Sequence, residues 1–138
     1  MKQTKNTLSK AKAKAWKAFS LWVRKSNAYK DQWVRCYTCN KDFEIVNIHA
    51  GHGIGGRNNA ILFEERVVRP QCVGCNLYGR GQYQIFTRKL IDELGLEVYD
   101  QIVTQARVPV KYKIADYEAI EEKYKAKVQD LEKVGYGK

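Results

Sequence analysis

Cys36-Tyr37-Thr38-Cys39, then Ile48-His49-Ala50-Gly51-His52, then Pro70-Gln71-Cys72-Val73-Gly74-Cys75-Asn76: residues 36–76 hold every cysteine and histidine of the chain. Two cysteines spaced by two residues turn both thiolates toward one ion, and two such pairs supply the four soft ligands of a closed tetrahedral zinc site. The competing reading is two disulfides or four buried thiols. Nothing in the sequence resembles a secretory signal peptide, and a reducing cytoplasm favours metal. A closed four-cysteine site has no coordination position open to water, so the zinc is structural and any chemistry falls to residues between the pairs.

Working outward, 138 residues make one domain, with a modest core that a metal staple would help. No apolar run is long enough to cross a bilayer, and repeats and low-complexity tracts are absent, so the expectation is a soluble protein without membrane function. The net charge of +10 sits almost wholly at one end. Residues 1–30 carry nine Lys or Arg and no acid, whereas 31–110 carry nine of each and 111–138 seven basic and six acidic. Such a cluster is an electrostatic footprint for a polyanion, most often nucleic acid. The plain alternative is a solvated lysine face. A mitochondrial presequence would prefer Arg to Lys.

From about Thr7 to Tyr29, Trp16, Phe19, Trp22 and Val23 recur at helical spacing among Lys10, Lys12, Lys14 and Lys17, which predicts a basic amphipathic helix packed on the zinc module. Trp33 to Phe43 reads as a short strand entering a knuckle, and Glu44 to His49 as a second strand. The glycine-rich loop 52–59 lets backbone approach a ligand closely, with Arg57 as a phosphate contact. Glu65 to Arg69 reads as a strand ended by Pro70, and the second cysteine pair as the opening of a helix. Helices follow over about 82–94, stopped by Gly95, and 96–106; a last one begins at the N-cap Asp116 and carries Tyr117, Ile120, Tyr124, Val128 and Leu131 on one face.

His49 and His52 thus stand at a strand end, and Asn76 directly follows the last cysteine. An imidazole near its ordinary pKa of about 6.5 accepts a proton from water at neutral pH, as phosphodiester hydrolysis requires. The Asn76 amide oxygen is a hard neutral ligand suited to Mg2+. The expected site sets one of the two imidazoles against Asn76.

The cysteine-bracketed constellation resembles the zinc-bearing branch of the HNH, or ββα-metal, nucleases. Further blocks extend the likeness: Ala15-Trp16-Lys17-Ala18-Phe19-Ser20, Val23-Arg24, Phe63-Glu64-Glu65-Arg66, Gly81, and Leu90 through Gly95. Together they are similar to the phage NinG (Rap) recombination endonuclease family over roughly residues 10–130. The resemblance implies an α+β domain with a small zinc-stabilised ββα-metal core at 32–95, between a basic helix at 1–31 and a helical extension at 96–138. It implies a DNA endonuclease of the bacterial host cytoplasm, cutting branched recombination intermediates such as Holliday junctions and D-loops, in company with phage recombination proteins. A two-fold junction invites a homodimer.

Carried over, His52 is the general base, Asn76 a ligand of catalytic Mg2+ or Mn2+, and Cys36, Cys39, Cys72 and Cys75 the Zn2+ site. His49 either ligates the catalytic ion, where its nitrogen would suit Mn2+, Co2+ or Ni2+ better than Mg2+, or orients its partners. Lys10, Lys14, Lys17, Arg24, Arg57 and Arg80 are the nucleic-acid contacts. The chain departs from the family over Leu62-Phe63-Glu64-Glu65-Arg66-Val67, where Arg-Phe-Asp-Glu-x-Asn is usual, and at Gln82, where Asn is usual; these changes bear on substrate positioning and junction preference. The rival reading is a non-catalytic zinc module that binds DNA or a recombination protein.

Overall fold

The computed structural model describes residues 6–56 and 58–134. Arg57, among the expected phosphate contacts, lies outside them, as do the chain ends 1–5 and 135–138.

Helix α1 spans Leu8–Ser26, and the Thr7 side chain caps it by accepting from the Lys10 backbone N–H at 3.2 Å. Ala11, Ala15, Ala18, Phe19 and Val23 are buried while Lys10, Lys12, Lys14 and Lys17 are exposed, which gives the basic amphipathic helix its spacing predicted. The buried face meets a long last helix, α5 (Ile114–Val134), and a two-stranded sheet of β4 (Ile48–His52) and β5 (Val68–Cys72). The alanines let α5 come close, so Tyr117 packs on Ala11 and Ala15, and Tyr124 meets Phe19 edge-on at 4.8 Å. Phe19 is fully buried there, and truncating it to alanine should cost about 3–5 kcal/mol. The aromatic stripe therefore packs on α5 as much as on the sheet behind the cysteines.

The first cysteine pair sits in the turn of a small antiparallel sheet, β1 (Ala28–Lys30), β2 (Trp33–Arg35) and β3 (Asp42–Glu44). The expected strand from Glu44 to His49 is instead a 3-10 turn, Ile45–Asn47, followed by β4. The Ile45 N–H donates to Gln32 O at 2.7 Å and the Ile45 carbonyl accepts from Arg24 Nη1 at 2.8 Å, so its backbone is turned toward β2 and α1.

Strand β5 runs through Pro70 rather than stopping before it, and pairs antiparallel with β4 in the register Ile48↔Cys72, Ala50↔Pro70, His52↔Val68. Proline is tolerated for a geometric reason. Its carbonyl accepts from the Tyr37 N–H at 2.8 Å, away from β4, so its nitrogen also faces away and the β4 ladder loses no donor.

Between the strands lie α2 (Asn59–Leu62) and a 3-10 turn, Glu65–Val67. After β5 comes not an α-helix but a five-residue π turn, Gly74–Tyr78, then α3 (Tyr83–Leu94) and α4 (Leu96–Ala106). Gly95 ends α3 with φ +86°, as expected. Phe86, Leu90, Ile102, Ile61 and Val67 form the core beneath α3 and α4. Helix α5 starts at Ile114, two residues before the expected N-cap Asp116, which sits inside the first turn and reaches back to accept the Lys113 N–H at 2.8 Å. No helix among the described residues is long and apolar enough to cross a membrane.

Candidate functional site

The β2–β3 turn and the end of β5 bring Cys36, Cys39, Cys72 and Cys75 together, with all four Sγ atoms within 4.8 Å of one another. A tetrahedral zinc with Zn–S near 2.3 Å separates its sulfurs by about 3.8 Å; Cys39 Sγ and Cys72 Sγ are 3.8 Å apart. The set fits a four-thiolate ion, and all four are free thiols. Cys36 Sγ accepts the Cys72 N–H and Cys72 Sγ the Cys75 N–H, each at 3.4 Å, as sulfurs carrying negative charge would. Burial pushes the Cys36 thiol up, but the bonds from the Cys72 backbone, the Thr38 hydroxyl and the turn amides outweigh it and bring it down to about 6. Burial and the neighbouring cysteines push Cys75 up to about 12.

The same β5-to-π-turn corner carries Asn76. Its Nδ2 lies 3.3 Å from His49 Nδ1, both side chains half-buried. An amide donor there makes Nδ1 the acceptor and leaves the Asn76 oxygen outside the contact. The pair lines a cleft of about 420 Å3 together with Trp16, Ser20 and Arg24 of α1, Val46 and Leu77. Its described lining holds one cation and no carboxylate.

His52 does not face Asn76. Three residues along a strand reverse the side-chain direction, so His49 and His52 leave opposite faces of β4. His52 is 6% exposed; its ring stacks on Trp16 with centroids 5.1 Å apart and planes 18° apart, and its Nε2 lies 3.1 Å from the Leu62 carbonyl. A carbonyl only accepts, so Nε2 carries the proton. Trp16 is at once a wall of the His49–Asn76 cleft and the cover of His52.

Of the expected phosphate contacts, Arg24 lines the cleft, donating to the Ser20 carbonyl from Nε and the Ile45 carbonyl from Nη1; burial pulls its guanidinium down from the ordinary value. Arg80 is exposed at φ +54°. Lys10, Lys14 and Lys17 are exposed on α1, and the last two line a separate groove with Glu121 and Glu132 of α5.

The glycines near the histidines serve packing rather than ligand approach. A Cβ on Gly51 would lie 2.2 Å from Gln71 Oε1, and one on Gly53 2.4 Å from Leu90. Gln71, fully buried, was passed over by sequence reasoning; its Nε2 donates to Thr38 Oγ1 and to the Gly81 carbonyl, tying β5 to the knuckle and to the turn before α3. Trp16, Val46 and Leu77 were also missed as cleft residues. A strand register would have exposed Gln71; nothing local marks the other three.

Fold and site together define a small α+β protein built on a four-cysteine cluster able to hold a metal ion, with a histidine–asparagine cleft beside it. The chain belongs to the bacteriophage lambda NinG protein family, whose profile matches residues 1–134. Protein ninG of Escherichia phage 933W is 28% identical over 128 residues, 85% of this chain and 61% of that protein. Protein ninG of Escherichia phage lambda is also 28% identical over 128 residues, 85% of this chain and 60% of its own length. The chain thus spans about three-fifths of the curated relatives it matches. No solved structure gives a significant match.

Proposed function

We propose that the chain is a metal-dependent DNA endonuclease of the HNH type, acting on branched recombination intermediates. The observation that carries the reading is the His49–Asn76 pair at 3.3 Å, in a cleft with a cation and no carboxylate. To hold an ion the Asn76 amide would release His49 Nδ1, so that the amide oxygen and the imidazole nitrogen both turn to the cation; so sparse a donor set fits a divalent cation that keeps waters and takes phosphate oxygens as further ligands. When bound, the ion supplies stabilisation of the charge on the phosphorane and the leaving oxygen.

Asn76 and His49 hold that position; the four-cysteine cluster keeps the π turn at the end of β5, so the two side chains meet without first being ordered. Arg24, held by two carbonyls, presents a fixed cation to the scissile phosphate. His52 is the base carried over from the family resemblance. Its ring lies beneath Trp16, a wall of the cleft, and that indole must turn aside before the ring can act there.

The burial of His52 favours a second reading, a zinc module that binds DNA without cutting it. The test is cleavage of branched and linear DNA with Mg2+ or Mn2+ by wild type, His49→Ala and His52→Ala, all zinc-loaded. Metal-dependent cleavage lost in both variants supports the roles given. Cleavage retained by His52→Ala and lost by His49→Ala moves the base to His49. No cleavage by wild type leaves the binding module.

A further inference from the structure

The cleft mouth carries two apolar side chains that packing does not explain. Val46 is 75% exposed and Leu77 59%, yet both line the cleft that holds His49 and Asn76. Isolated apolar side chains on a surface need no explanation, but these two come from different segments and meet at one cleft. Each is presented by a backbone feature that is itself held. Val46 rides on the 3-10 turn whose carbonyl Arg24 bonds, and Leu77 on the π turn that follows the last cysteine; π turns are rare and concentrate at functional sites.

We infer that Leu77 and Val46 form an apolar wedge that enters the base step beside the scissile phosphate. This rests on the endonuclease reading of the cleft. The charge beneath them argues for DNA as the occupant. Arg24 is a partly buried guanidinium in a cleft with no carboxylate, complementary to phosphate, and aliphatic side chains next to such a contact are what minor-groove and junction binders insert between bases. Unstacking a step inside a continuous duplex costs a few kcal/mol, whereas at a branch point strand exchange interrupts the stack and leaves a step that opens at lower cost. The wedge therefore selects DNA with an unstacked step over uninterrupted duplex.

The experiment uses the zinc-loaded full chain in Ca2+, with 2-aminopurine walked through the branch point of a four-way junction and through a linear duplex. Wild type should raise fluorescence severalfold at one junction position. Leu77→Ala should abolish the rise and weaken junction binding about tenfold, while Leu77→Met should keep the rise. Leu77 is exposed, so Leu77→Ala should melt at the wild-type temperature, which separates loss of the wedge from loss of the fold. A rise undiminished in Leu77→Ala, or no rise at any position, overturns the inference. So does a Leu77→Ala effect confined to self-association in sedimentation, which would make the patch a contact between copies. If the rise occurs but no divalent ion supports cleavage, the endonuclease reading fails and the wedge stands; cleavage without the rise removes the wedge alone.

Discussion

Trp16 and His52 stack face to face, 5.1 Å between ring centroids, although one belongs to the basic helix and the other to the strand end it crosses. The helix that carries the excess charge thereby also controls access to a histidine at 6% exposure. Packing and chemistry are coupled at this point: moving the indole both loosens α1 and uncovers the ring.

Trp16→Ala should therefore lower stability by about 2 kcal/mol, less than for a fully buried tryptophan because Trp16 is only partly buried, and open His52 to reagents. With diethyl pyrocarbonate at pH 7, wild type should show one fast-reacting histidine, His49, and Trp16→Ala two. Two fast histidines in wild type would contradict the shielding.

The cysteine cluster predicts one zinc per chain by elemental analysis and no reactive thiol until a strong chelator is added. Chelation should unfold the protein, since the free energy of binding the metal is free energy of folding. Cys36→Ser should abolish the far- and near-ultraviolet dichroism of the folded state. Chelation that leaves the melting curve unmoved would show the cluster to be incidental.

Glu65 offers a pH test away from the cleft. Burial raises its carboxyl, but hydrogen bonds from Lys127 and Tyr124 and the nearby charges of Lys127 and Lys123 outweigh it and leave it below the ordinary 4.5. A depressed folded pKa stabilises above the unfolded value and loses that contribution as pH falls through the folded one. Glu65→Gln should cost about 1 kcal/mol at pH 7, allowing for solvent screening of a partly exposed group. In urea melts the deficit should shrink steadily below about pH 4.5; a deficit constant to pH 3 would count against the ion pair.

Residues 80–82 all have positive φ, and Gln82 at +49° is the left-handed cap of α3. Asparagine visits that region more readily than glutamine. Glutamine here thus has a local cost, and Gln82→Asn should raise stability by about 0.5 kcal/mol. Gly81→Ala should lower it, because φ is +89° and a Cβ would lie 2.8 Å from the Tyr83 ring. Thermal melts of the two variants check both signs.

Legibility followed the range of the interactions. The cysteine pairs, the stop at Gly95 and the periodic faces of α1 and α5 are local patterns, and the structure has them where the spacing puts them. The error at the histidines began with two β-branched residues, Ile45 and Val46, that look like strand. Contacts from Gln32 and Arg24, distant in sequence, turn that backbone and shift β4 onward, so both histidines lie within it. Side-chain alternation then sends His49 to Asn76 and His52 beneath Trp16. Pro70 misled for the same reason: which way its carbonyl points depends on Tyr37, and no rule of spacing contains that contact.

In the endonuclease we propose, Asn76, beside His49, would hold a divalent ion over a phosphodiester bond. The single-turnover cleavage rate of a four-way junction in Mn2+ by wild type and by Asn76→Ala, each with one zinc bound and equal affinity for the junction in Ca2+, tests that role. Wild type should cleave, and the variant should lose about 100-fold or more in rate. Equal rates for the two proteins, or no cleavage by wild type in any divalent ion, would contradict it.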